Sequence, residues 1–195
     1  MSKDEQIKAQ IIENASLLFQ KWGFHKTTME DIAKATGKAK SSLYYYYKSK
    51  NEIFEDLIES QYMEMLQKIN VEVNRCESYS KKLETFLMLS FEEMASRAPL
   101  YEIMVNELNE DNKLLKSMIK AISKREVGIL EELFNKAIEN KEFRYYEKED
   151  LRLIAEQIVR SLRQLQVVIY IEQDKRFNKE KIRIFVDLIL NGVKK

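Results

Sequence analysis

Apolar residues recur at steps of three and four through most of this chain, and little interrupts them: 195 residues contain 4 glycines and 1 proline. Sheets joined by tight turns need far more of both, because glycine reaches positive φ freely and proline presets a turn. The pattern predicts an all-α fold. Ile7, Ile11, Ala15, Leu18 and Trp22 form the first stripe, and Gly23 stands where a helix C-terminus favours positive φ. Thr27 with Glu30, or Thr28 with Asp31, has capping-box spacing and opens a short helix; Ile32, Ala33 and Ala35 are its small apolar face, and Gly37 ends it. Ser49 and Glu52 repeat the box ahead of a helix carrying Ile53, Leu57, Ile58, Met65, Ile69 and Val73. Further helices are expected near 79–97, 99–109, 112–140, 148–171 and 178–194, joined by "ENKEFRYYEKED" and "EQDKRFNKE".

Residues 1–50 thus read as helix, short helix, glycine turn, short helix. That is a helix-turn-helix DNA-binding domain, whose second short helix, near 39–46, is the one that enters a major groove. Residues 51–195 form a second, larger helical domain. Charge divides the same way. The first 50 residues hold nine lysines against five acids, whereas the remainder holds 24 basic and 27 acidic side chains. Positions 38–50 carry four lysines and no acid. A polyanion is the expected partner of a basic end.

The stretch "KSSLYYYYKSK", residues 40–50, concentrates the question. At about 100° per residue, Tyr47 lies beside Leu43 and the pair faces inward. Ser41, Tyr45 and Lys48 fall on the opposite side, with Tyr44 and Tyr46 on the flanks. Tyrosine suits those outer places, since its ring packs on sugars and thymine methyls while its hydroxyl bonds phosphate. Lys38, Lys40, Lys48 and Lys50 supply backbone charge at both ends. Tyrosine also favours strands, but no partner strand or hairpin turn lies nearby.

The segment "TTMEDIAKATGKAKSSLYYYYKSKNEIF" resembles the DNA-binding signature of TetR-type transcriptional regulators. A threonine pair opens the first short helix, an "IA" pair packs it, a glycine turns the chain, an "LY" pair anchors the recognition helix, and "SK" precedes the next helix. The likeness covers about residues 7–58; beyond residue 60 only length, helical layout and "NKEFR" are similar. It implies that Thr28, Tyr44, Tyr46 and Lys50 contact phosphates, and that Lys38, Lys40, Ser41, Ser42 and Tyr45 approach base edges. Two positions depart from the family pattern: Lys38 replaces a small apolar residue, and Ala39 replaces a serine that would cap the recognition helix. The resemblance also implies that the larger domain binds a small-molecule effector and forms a homodimer through its last two helices. A pseudo-palindromic double-stranded DNA operator follows from that symmetry.

The residues themselves agree with pairing at the end of the chain. Helix 181–193 carries Ile182, Phe185, Val186 and Ile189 among apolar residues nearly all round, so it must be covered on more than one side. Burial within one chain is the competing reading. With Leu162, Leu165 and Ile169 of the preceding helix, these are the expected dimerisation residues. Beside that face, Gln157, Ser161 and Gln164 make an uncharged polar stripe, read as pocket lining, dimer hydrogen bonds or an exposed strip. Pocket candidates also include Tyr62, Met65, Phe91, Met94, Tyr101, Met104 and Met118. Methionines at helical spacing, Met63 and Met88 among them, are more often plain core. Trp22 is expected in the core between the DNA-binding helices.

Catalysis has little to work with. One histidine, His25, and one cysteine, Cys76, cannot make a zinc site or a two-metal carboxylate bundle, and no phosphate loop or dinucleotide fingerprint occurs. No enzyme activity, metal or cofactor is expected. The start "MSKDEQIKAQ" has no apolar run, and the longest, Val167–Ile171, is far short of a membrane span, so a cytoplasmic location and no membrane partner are expected. The expected function is a ligand-responsive repressor, with a helical protein-interaction scaffold as the alternative.

Overall fold

The structure is a computed structural model that describes residues 2–95, 97, 100, 102–103, 113–172, 174 and 178–193. Among them lie eight α-helices: α1 (Lys3–Trp22), α2 (Met29–Ala35), α3 (Lys40–Tyr46), α4 (Lys50–Asn74), α5 (Tyr79–Ala95), α6 (Lys113–Glu139), α7 (Lys148–Gln166) and α8 (Lys179–Val193). No described helix is long and apolar enough to cross a membrane. The expected helix 99–109 lies almost wholly outside the described residues. Helix 148–171 is shorter than its apolar pattern suggests, because Val167–Ile171 continues as one π-helical turn. The chain divides into two compact units, residues 1–63 with 99–118, and residues 64–98 with 119–195. The expected division at residue 50 coincides with the first residue of α4, and the units divide further along that helix.

In the first unit, local chemistry fixes the helix ends. Ser2 and Glu5 cap α1 reciprocally. Of the two boxes open to α2, Thr28 with Asp31 is the one that forms. Thr27 instead turns inward, fully buried, and donates its hydroxyl to the Gly23 carbonyl at 2.7 Å. Gly23 and Gly37 take φ of 86° and 64°, conformations that a side chain would strain. Ser49 accepts from the Glu52 amide at 3.3 Å, while the Glu52 carboxylate takes the Lys48 amide at 2.8 Å, one residue earlier than a regular box.

The covered stripe of α1 is Ile11, Ala15 and Phe19, rotated from the expected one. Trp22 is a correction: 43% of it is exposed, and the Lys21 ammonium lies 5.5 Å from its ring. The reason is Gly23, which reverses the chain so that Phe24 packs back on Phe19 and Phe54. The three rings stand 5.0 to 5.5 Å apart, an aromatic cluster that fills the centre and leaves Trp22 on the rim.

In the second unit α5 packs on α7 and α8. Leu83, Phe86 and Leu87 meet a core that includes Leu130, Phe134, Ala155, Leu162, Ile182, Val186 and Leu190. Burial of each of the larger side chains among them contributes about 1.5–3 kcal/mol. The connection 140–147 works as a clamp. The Glu142 carboxylate accepts the Tyr79 and Ser80 amides at 2.9 and 2.7 Å, satisfying the open N-terminus of α5. Two residues on, Arg144 donates its amide to the Val193 carbonyl at 3.1 Å and its guanidinium to the Gly192 carbonyl, capping α8.

Candidate nucleic-acid interface

The recognition segment is helical, and its sides are sorted as the periodicity requires. Leu43 is fully buried and Tyr47 nearly so. The Tyr47 hydroxyl donates to the Asp56 carboxylate at 2.9 Å, tying the end of α3 to α4. Burial, and then the Asp56 carboxylate, raise the Tyr47 phenol well above its ordinary ionisation range, so it remains a donor. On the far side Tyr45 is 78% exposed, and Tyr44 is 44% exposed on the flank. Ser41, Lys40 and Lys48 are exposed beside them, with Ser42 and Lys38 half-buried.

Tyr46 is held from behind. Its hydroxyl donates to Asp4 at 3.2 Å, and its ring stands edge-on to Tyr45 at 5.0 Å. Desolvation first, then Asp4, raises its ionisation range. The ring of Tyr46 therefore braces Tyr45 from the side. Ala39 is the N-cap of α3 and offers no side-chain bond, as its methyl dictates. Order at this end comes from α2 instead: the Lys38 amide donates to the Ala33 carbonyl at 2.9 Å, and Lys40 pairs with Glu30 at 3.8 Å.

Besides Tyr46, two more expected phosphate contacts have other partners. Thr28 is exposed, but its hydroxyl donates to Asp31 at 2.6 Å and accepts the Asp31 amide at 3.2 Å. That bond, first of all, lowers the Asp31 carboxyl below its ordinary range. Lys50 points inward. Its ammonium donates to the carbonyls of Phe24, Thr27 and His25 at 2.6, 2.8 and 3.2 Å, beneath the loop that delivers α2. Sequence spacing groups Lys50 with the outer lysines; three converging carbonyls, supplied by a chain reversal more than 20 residues earlier, draw it in.

The expected effector residues differ in burial, and three of them are not described. Met65 and Phe91 are buried in the second unit, and Tyr62 is buried in the first. Met118 is half-buried, the Met94 side chain, Tyr101 and Met104 lie outside the described residues, and Met63 is exposed rather than core. Gln157 and Gln164 are exposed and Ser161 is half-buried, so the polar stripe is not covered within the chain. The interior of the second unit instead holds polar groups that the pattern does not single out. Arg163 donates to Ser123 at 2.5 Å and to Glu126 at 2.9 Å, beside a cavity of about 20 Å³. Burial raises the Glu126 carboxyl, against the pull of Arg163. Gln166 and Ser90 are buried there too, and the Ser90 Oγ has no hydrogen-bond partner.

At the end of the chain, Leu162, Ile182 and Val186 are buried in their own core, which corrects their expected place at a subunit interface. The helical period carries the dimer candidates round α8: Ile184 and Leu188 are 48% and 68% exposed, flanked by half-buried Phe185 and Ile189. Leu165 and Ile169 are half-buried near the end of the α7 segment.

Known proteins are similar to this chain in sequence and fold. The family model described as bacterial regulatory proteins, tetR family, matches residues 11–57. A fatty acid metabolism regulator protein of Bacillus subtilis is 23% identical over 185 residues, 94% of each chain. The biofilm operon icaADBC negative transcriptional regulator IcaR of Staphylococcus epidermidis is 43% identical over 54 residues, covering 28% of this chain and 29% of that one. Among solved structures, the transcriptional regulator FadR from Bacillus subtilis in complex with stearoyl-CoA is similar in fold, with a TM-score of 0.73 at 21% identity over 94% of this chain and 95% of that one.

Proposed function

We propose that this chain, whose residues 11–57 match the tetR family model, is a dimeric TetR-type repressor released from its operator by a fatty acyl thioester. One observation carries the DNA-binding part: Tyr45 stands 78% exposed on α3 directly opposite the buried Leu43. An aromatic that large does not gain from water; on a lysine-flanked helix it gains from a groove wall. Lys38, Lys40, Lys48 and Tyr44 contact the sugar-phosphate backbone, Ser41, Ser42 and Tyr45 read base edges, and Thr28, Tyr46 and Lys50 hold the reading surface in place.

The exposed Ile184 and Leu188, with Phe185 and Ile189 beside them, support a second copy on α8, since one helix face of this kind is covered in a stable protein. A two-fold pair presents its recognition helices to half-sites about 34 Å apart. The acyl-thioester effector is supported by the Bacillus subtilis relative FadR, which is named for fatty acid metabolism and whose structure holds stearoyl-CoA. Binding in the second unit then lowers DNA affinity by favouring the state in which the recognition helices no longer match the operator.

The test is selection of bound fragments from genomic DNA, followed by addition of stearoyl-CoA to the selected complex. A pseudo-palindromic site released by micromolar thioester is expected. Binding without release would discard the effector and keep the DNA role; equal affinity for random fragments would discard the DNA role.

A further inference from the structure

We propose that the groove between α6 and α7 holds the phosphate-bearing head of the effector, an organic phosphate ester such as the nucleotide end of a coenzyme A thioester; this rests on the acyl-thioester reading above. The groove measures about 520 Å³, within the range of small-molecule sites. Lys120 and Lys124 project into it from α6, and Arg152 and Arg160 from α7. Glu156 lies between the two arginines, 3.4 Å from Arg152 and 3.9 Å from Arg160, and orients both. With Glu131 as the second acid, four cations face two carboxylates, in a part of the chain where acids otherwise outnumber bases. Paired guanidinium groups opposite ammonium groups suit phosphate oxygens, which they bind in a bidentate manner and as point charges respectively.

A glycine gives the second, independent observation. Gly128 stands in the middle of α6 and lines the groove. A glycine inside a helix weakens it relative to alanine. Nothing local asks for it: φ is not positive, and a Cβ built there meets no atom within 4 Å. Neither backbone nor packing requires the missing side chain, and its effect is to keep the floor of the groove clear for a group from outside.

The position of the groove fits an amphiphile. Val159 lines both the groove and the internal cavity, and Ser123, on the groove side, accepts from Arg163, which crosses to Glu126. Behind them lies the unpartnered Ser90 hydroxyl. A head bound among Lys120, Lys124, Arg152 and Arg160 delivers its tail to this thin wall, where parting of the Arg163–Glu126 pair would admit it.

The experiment is calorimetric titration of the full chain with stearoyl-CoA, coenzyme A, inorganic pyrophosphate and stearate. Three proteins are compared with the wild type: Lys120→Ala/Lys124→Ala, Gly128→Leu and, as a helix control, Gly128→Ala. Affinity for stearoyl-CoA and coenzyme A is expected to fall at least tenfold in the first two, with stearate unchanged and operator affinity intact. Gly128→Ala is expected to melt above the wild type, which separates a glycine kept for a ligand from one kept for packing. Unchanged coenzyme A and thioester affinities in both variants would overturn the groove. Wild-type binding of coenzyme A or pyrophosphate without any acyl dependence would keep the groove and discard the acyl effector. Binding of stearate alone would discard the groove and keep a lipid effector, and binding of none of the four would discard both.

Discussion

The Lys50 ammonium donates to the Phe24 carbonyl at 2.6 Å and lies 4.4 Å from the centre of the same residue's ring. One cation thus serves a backbone oxygen and an aromatic face together, and with Thr27 and His25 it pins the reversal that follows α1. Lys50→Met should destabilise the first unit by about 2 kcal/mol, since charged hydrogen bonds to part-buried carbonyls are lost. It should leave the salt dependence of operator binding unchanged. Lys38→Ala and Lys40→Ala should instead leave the melting temperature alone and flatten the salt slope by about 1 per lysine per protomer. Thermal melts and affinity measured over a salt series distinguish the two roles.

Tyr45 and Tyr47 are neighbours in an unbroken tyrosine run with opposite duties. Tyr45→Ala removes an exposed ring and should lower operator affinity at least tenfold, equivalent to about 1.4 kcal/mol, with helix content and melting unchanged. Tyr47→Phe removes the bond to Asp56 and should cost about 1 kcal/mol of stability while leaving affinity at 25 °C nearly intact. Mobility shifts at fixed salt beside circular dichroism melts would show whether the duties divide this way.

Asp31 makes the stability of the first unit sensitive to acid. Its carboxyl is held below the ordinary value of 3.8, chiefly by the Thr28 hydroxyl. A lowered folded-state value means that this stabilisation is complete above the unfolded value and disappears as pH falls through the folded one. The wild type should therefore melt above Asp31→Asn at neutral pH, with the gap constant down to about pH 5 and closing below pH 4. A gap that stayed open in acid would show that the cap does not depend on the charge.

Helix α8 carries a buried row, with Val186, and an exposed apolar row, Ile184 and Leu188, proposed above as the subunit contact. Leu188→Asp and Ile184→Asp place charge on the exposed face and should yield folded monomers by sedimentation, with operator affinity lost because paired half-sites are no longer bridged. Val186→Ala should keep the dimer and lower stability by about 2 kcal/mol, as a truncation in a fully buried position does.

Much of the candidate interface is legible in the order of the residues. Leu43 and Tyr47 inward with Tyr45 outward follows from the helical period alone, and the Thr28–Asp31 box from a three-residue spacing. Lys50 is not legible in this way, because its near neighbours in sequence do not distinguish it from Lys48; its partners come from the loop between α1 and α2. Trp22 and Phe19 both lie near one apolar stripe, and the choice between them is made by where Phe24 and Phe54 arrive. The buried polar cluster of the second unit is least legible. Arg163, Glu126 and Ser90 come from three different helices, and charged or hydroxyl side chains on a helix give no sign of burial until another helix covers them.

Periodicity, caps and glycine breaks, all interactions within a turn or two of chain, determined by themselves that this protein is a string of helices opening in a helix-turn-helix with an aromatic, lysine-flanked outer face. Tertiary structure alone decided which edge of each stripe is sealed, which lysine turns inward, and that Glu142 and Arg144 clamp two helix ends. It also decided that Gly128 lies along a cationic groove. Hydrogen bonds and ion pairs between residues 26 to 62 positions apart select one partner among many of the same kind, and only the packed chain brings that partner within about 3 Å.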